Sequence, residues 1–282
     1  MEWGVLSPTL LRALVTSLLV SVSCAVIGVF VVLRGLSFMG AGVAHAAFSG
    51  SAMAILLGVN PLAGALVFSI LLAVVAGYTG LRGRVKMDVA IGAFFAFSMA
   101  LGILFISMTP GYVVRAWWLI MGDVLGVSDW DLLFATYVTV IVLLSVVFFL
   151  RGFQLVTFDL EFALASGLRV NLYHYLMLLL VAFVVTIAVK CVGALLVYAV
   201  LIAPAAAARE ISHGFWEMLA YSVAISVAST LTGISLSLTF NVSPSALIAV
   251  IASLVFLALI IASPKKRICK TCRMYRFRFK RV

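Results

Sequence analysis

Long apolar runs alternate along this chain with short clusters of Pro, Gly and charged residues, and none of the runs shows a two-residue alternation of apolar and polar positions. A helix needs ~20 mostly apolar residues to cross a bilayer, and only helices or closed barrels satisfy every backbone polar group in lipid. Membrane barrels betray themselves by strict alternation, so the runs predict helices. Nine spans are expected, at about 10–33, 41–59, 62–80, 89–108, 131–150, 174–189, 191–208, 218–240 and 245–263. The breaks at "GVNP" and "VKCVG" are so short that each flanking pair must form a tight helical hairpin or a broken helix. The expected fold class is all-α: a polytopic, integral membrane helical bundle.

Composition agrees with the pattern. Hydrophobic residues make up 66% of the 282 positions and charged residues 10%, and the mean hydropathy is +1.30, a surface that water would not tolerate. The opening "MEWGVLSPTLLRA" has no basic head before its apolar run, so the first span is expected to be retained rather than cleaved as a signal peptide. Basic residues near span ends set the expected orientation. With nine spans and the C-terminus in the cytoplasm, 16 of the 19 Lys and Arg fall inside, and only Arg12, Arg115 and Lys190 fall outside. The N-terminus is then outside.

Residues 1–264 are read as one transmembrane domain and 265–282 as a basic cytoplasmic tail. The tail "SPKKRICKTCRMYRFRFKRV" has no acid and carries most of the net charge of +10. It is expected to lie against anionic lipid, at about 1 kcal/mol per basic residue near the surface, rather than to bind nucleic acid. Cys269 and Cys272 form a C-x-x-C pair, half of a four-ligand zinc site, and read as ordinary tail thiols. Cys24 and Cys191 fall inside spans, and no disulfide framework is implied. Tyr112, Trp117, Trp118 and Trp130 cluster in one outside loop, as an aromatic belt at the membrane surface would. In the inside segment "FDLEFALASGLRVNLYHY", Asp159 and Glu161 suit the start of a short helix and Gly167 its end.

His45 stands out. It is the only Asp, Glu, His, Lys or Arg between Arg34 and Arg82, in the small-residue run "MGAGVAHAAFSGSA". Intramembrane ionisable groups are costly and usually have a partner or a function. His45 is either an imidazole donating to a carbonyl on a neighbouring helix or a ligand for a passing transition metal. The bare Gly, Ala and Ser surface around it lets neighbouring helices approach closely, which puts this helix inside the bundle. Other intramembrane polar candidates are few: Lys190, Asn241, the Ser and Thr of "STLTGISLSLTFNVS", and Met39, Met53 and Met99. A site with so few ligands suits passage of an ion better than storage or catalysis. The sequence has no phosphate loop, zincin-type His-Glu pair or nucleophile elbow. No enzyme is expected, and the energy for active transport would come from another chain.

Four collinear stretches together resemble the membrane permease subunits of ATP-binding-cassette importers for zinc, manganese and iron: "RGLSFMGAGVAHAAFSG", "KMDVAIGAFFAFSMALGI", "FDLEFALASGL" and "VGALLVYAVLIAPAAAAR". The resemblance covers roughly Leu18 to Ile261. It implies a homodimer in the cytoplasmic (inner) membrane, two ATPase subunits docked inside and an external metal-binding lipoprotein. ATP would bind the ATPase partner, the metal would be cargo, and no cofactor would be held permanently. His45 corresponds to the family's pathway histidine. Asp159, Glu161, Ala165 and Gly167 correspond to its coupling helix, at about 158–168. Many members carry Asp four residues before the histidine, where this chain has Ala41. Loss of that oxygen ligand favours zinc, then manganese or iron. The alternatives are a permease for a metal chelate or siderophore, and an ATPase-independent channel or structural subunit.

Overall fold

The computed structural model describes residues 8–82, 87–109, 122, 124, 126–194 and 197–263. Among them there is no strand, and ten helices follow one another: α1 (Pro8–Leu33), α2 (Ser37–Leu56), α3 (Pro61–Arg82), α4 (Met87–Ser107), α5 (Asp129–Phe158), α6 (Leu160–Ala165), α7 (Val170–Val192), α8 (Val197–Ile211), α9 (Phe215–Phe240) and α10 (Pro244–Ala262). Eight of them are long and apolar enough to cross a membrane. The segment expected to span at 191–208 differs: α7 runs on to Val192, and α8 has only 15 residues. Between them Gly193 takes φ 91°, ψ 154°, a region that in practice only glycine populates. The break lies inside protein, with Ala194 and Val197 buried, the setting in which non-helical backbone is tolerated at membrane depth.

Side-chain contacts define two ends of the bundle. At one, Arg34 Nε donates to Thr157 Oγ1 at 3.1 Å, the Phe215 ring lies 5.5 Å from Phe30, and Ser263 Oγ donates to the Glu210 carbonyl at 3.4 Å. At the other, Arg12 pairs with Asp129 at 2.8 Å and Ser51 Oγ donates to the Pro61 carbonyl at 3.1 Å. Residue 8 therefore starts near one end and residue 263 stops at the other. The short α8 still completes a ninth traverse, because the chain passes from Lys190 at the second end to Glu210 at the first.

Small residues and hydroxyls hold the helices together, as expected where lipid supplies no hydrophobic drive between them. Helix α2 is the most enclosed of these helices together with α1. Gly50 of α2 and Gly64 of α3 pack backbone to backbone, so that a Cβ on either would meet the other's carbonyl oxygen. Hydroxyls bridge α1 to α9: Ser21 to Thr230, Ser226 Oγ to the Ser21 carbonyl at 3.0 Å, and Ser222 Oγ to the Ala25 carbonyl at 3.1 Å. Similar bonds tie α1 to α5 (Ser23 to Thr139, 2.9 Å), α7 to α3 (Thr186 to Ser69, 2.9 Å) and α2 to α4 (Ser49 Oγ to the Ser98 carbonyl). The basic tail, Cys269, Cys272, Tyr112, Trp117 and Trp118 lie outside the described residues. Trp130 opens α5 and is 81% exposed, as a membrane-surface aromatic would be.

Candidate functional sites

His45 lies in the middle of α2 and is 7% exposed. Its imidazole meets the ring of Phe95 on α4 edge-on, with centroids 4.5 Å apart and planes at 86°. Its Nδ1 is buried without a hydrogen-bond partner. The expected alternatives at this residue were a carbonyl-bonded packing histidine or a ligand, and this nitrogen bonds no carbonyl. Ala41, one turn earlier on the same face, is partly exposed. Among the described residues no group of three His, Cys, Asp or Glu could form a metal cage. The arrangement can offer one imidazole nitrogen to a passing ion, whose other ligands would be water, backbone oxygens or groups from another chain.

Several of the other polar candidates have places of their own in the fold. Met39 is fully buried. Asn241 caps α9 in the left-handed conformation, φ 53°. Thr230 is used in the α1–α9 bridge, and Lys190 forms an ion pair with Asp131.

The segment expected to form a short surface helix does so as α6. The Asp159 side chain caps it by accepting from the Phe162 amide at 2.9 Å, and Glu161 sits in the first turn, where the helix dipole favours an acid. At its other end Gly167 has φ +75°; its amide donates to the Leu164 carbonyl at 3.0 Å, and the Leu168 amide to the Ala163 carbonyl at 3.2 Å. This is the left-handed helix stop in which glycine is free of strain. Ala163 alone of the six is buried, under Val156 and Val170. Leu160, Phe162 and Leu164 are each more than half exposed, and Ala165, Ser166 and Gly167 are exposed beside them. A cleft of about 600 Å³ lined by Leu164, Leu168, Arg169 and Tyr175 opens next to the helix. A contiguous apolar surface rimmed by charge, outside the spans, has the character of a protein-binding face.

Two further clusters escape sequence reasoning. At the α6 end of the bundle, Arg34 reaches from the α1–α2 turn to Thr157, two residues before the cap of α6. Burial pushes the Arg34 guanidinium down to about 10, which leaves it charged at neutral pH. Its Nη2 and the Nε2 of His174 are both buried without partners. At the opposite end, Lys190 at the close of α7 pairs with Asp131, which also accepts from the Ser128 amide at 3.0 Å in the capping box that starts α5. A cavity of about 260 Å³, lined by Ser51, Asn60, Thr186 and Lys190 among others, adjoins this pair. Each residue was visible as an isolated charge, but Asp131 and Lys190 are 59 positions apart, too far for any local spacing rule to couple them.

Comparison with known proteins gives a consistent result over most of the chain. The model of the ABC 3 transport family matches residues 7–263. The chain is 36% identical over 255 residues to the manganese transport system membrane protein MntC of Halalkalibacterium halodurans, covering 90% of this chain and 87% of that one. It is 33% identical over 259 residues to the "Probable iron transport system membrane protein" of Haemophilus influenzae, covering 91% and 94%. Among solved structures, PsaBC from Streptococcus pneumoniae in complex with Fab contains a chain that superposes with a TM-score of 0.83 at 31% identity, covering 94% of this chain and 95% of that one.

Proposed function

The chain belongs to the ABC 3 transport family, and from that premise we propose that it is the membrane permease of an ATP-driven importer for a divalent transition metal, manganese first and iron second. The observation that carries the reading is α6: a capped helix with an exposed apolar face, on a chain with no phosphate loop of its own. Such a face suits the docking of a separate ATPase subunit. Asp159 starts the helix, Glu161 adds negative charge at its edge, Ala165 keeps the contact surface low, and Gly167 turns the chain into α7.

Helices α5 and α7 flank α6, and the Asp131–Lys190 pair joins their far ends. A push on α6 is therefore delivered to both ends of a closed frame rather than lost in one helix. The cargo passes His45 in the crowded centre of α2, held by one imidazole and water or backbone oxygen. Weak, incomplete coordination lets an ion leave as readily as it enters. The relatives' names favour manganese and iron over the zinc that Ala41 suggested. For a hard ion such as manganese, the missing side-chain oxygen at Ala41 would be replaced by water or by the second copy of a homodimer. Delivery falls to an external metal-binding lipoprotein.

The test is uptake into proteoliposomes holding this chain, its ATPase and its binding lipoprotein, with manganese, ferrous iron and zinc offered singly and in competition. ATP-dependent accumulation of manganese, displaced by excess iron, is the expected result. Accumulation of none of the three free ions would overturn the reading, and preference for zinc would overturn the order of metals.

A further inference from the structure

We infer that Phe95 is the gate over His45: its ring closes the ion's access to the imidazole and opens by side-chain rotation. The inference rests on His45 being on the path.

Four observations meet at this residue. The Phe95 ring lies edge-on against the imidazole at 4.5 Å, and His45 is only 7% exposed while its Nδ1 has no partner. Phe95 itself is only partly buried, and it stands on α4, one of the least enclosed spans, so its side chain touches the imidazole and also reaches the surface of the chain. Next, α2 and α4 are fixed to each other on both sides of the pair. One turn away Gly42 packs so closely on Ile91 that an added Cβ would lie 2.8 Å from its Cγ2, and one turn away in the other direction Ser49 is bonded to the Ser98 carbonyl. Separating the helices would break both contacts, whereas turning one ring breaks neither. Finally, there is space for the ring. At Gly92, one turn from Phe95 on the same face of α4, no atom of another helix lies within 4 Å of where a side chain would begin.

A phenyl ring has no lone pair to hold a metal, and it strips water from whatever it covers. Hydrophobic constrictions gate ion paths by this exclusion of water. Phe95 therefore sets when His45 can be reached, not which atoms bind there.

Reaction of His45 with diethyl pyrocarbonate measures access to the imidazole independently of transport. In the assembled importer, the modified peptides would be followed by mass spectrometry in native protein, Phe95→Leu, Phe95→Ala and Phe95→Trp, with His174 as an internal reference. Because removing the cover removes the cost of local opening, His45 should react about tenfold faster in Phe95→Ala, and faster also in Phe95→Leu, with His174 unchanged. Phe95→Trp should react more slowly than native. Equal rates at His45 in all four proteins would overturn the gate, and so would a parallel rise at both histidines, which marks a loosened bundle. The path is tested separately by manganese uptake in His45→Asn. A fast-reacting His45 in Phe95→Ala with native uptake in His45→Asn would keep the gate and remove the path. Lost uptake in His45→Asn with no change of reactivity in Phe95→Ala would do the reverse.

Discussion

A buried imidazole with an empty nitrogen is costly for a packing residue, since an unsatisfied buried polar atom loses about 1–3 kcal/mol. His45 is in that position, and the ligand role proposed for it would account for the cost. His45→Asn should lower manganese uptake tenfold or more while ATP hydrolysis by the assembled importer continues, read by radiotracer accumulation alongside phosphate release. The Asp131–Lys190 pair makes a different prediction. Asp131 is 9% exposed and Lys190 48%, so the pair is half screened on one side. Lys190→Met leaves a buried carboxylate with only Ser128 for company and should destabilise by about 1–2 kcal/mol, seen as a lower unfolding temperature in detergent. Adding Asp131→Asn should restore most of the loss, because an amide at that position still hydrogen-bonds and carries no charge.

Among the elements, α6 is the one whose ends are both specified locally. A bulky β-branched residue at Gly167 must adopt φ +75°, at a cost of about 1–2 kcal/mol, and would unwind the turn that leads into α7. Gly167→Val should abolish uptake and uncouple hydrolysis from metal while the permease still assembles, as judged by size-exclusion chromatography; unchanged uptake would remove the coupling role from this helix. The α1–α9 bridge is a stability element. Ser226→Ala and Thr230→Val should each cost roughly 0.6 kcal/mol, and the double variant should cost less than the sum, because both hydroxyls act on Ser21. Thermal unfolding of the three variants gives the comparison.

At the scale of the molecule, two features define the working frame: a tightly packed centre of α1, α2 and α7, and outer helices that each leave one side for lipid or a second subunit. The α5–α6–α7 unit is closed at one end by the connecting helix and at the other by the ion pair. Opening that frame with Lys190→Met should lower the number of manganese ions moved per ATP hydrolysed, measured in the same vesicles, without lowering hydrolysis itself. A preserved ratio would show that the two helices need no tie at their far ends.

The helical membrane class, the location of eight of the spans, the capped α6 and the singularity of His45 were all legible in the sequence. Their causes are local: a run of apolar residues long enough to cross lipid, an aspartate three residues before the amide it caps, a glycine where φ must be positive, one imidazole in an otherwise apolar run. The break expected at "VKCVG" is there, but the seventh span starts at Val197 rather than at 191, because α7 runs on to Val192 and Gly193 then turns the backbone inside protein. Only the tertiary structure decided what His45 faces, which charges pair and which hydroxyls bridge. The small-residue helix around His45 has no apolar face to orient it, so its rotation is set by Ile91, Gly64 and Leu201 on three other helices. The pairing of Asp131 with Lys190 depends likewise on two spans coming side by side, which no spacing along the chain encodes.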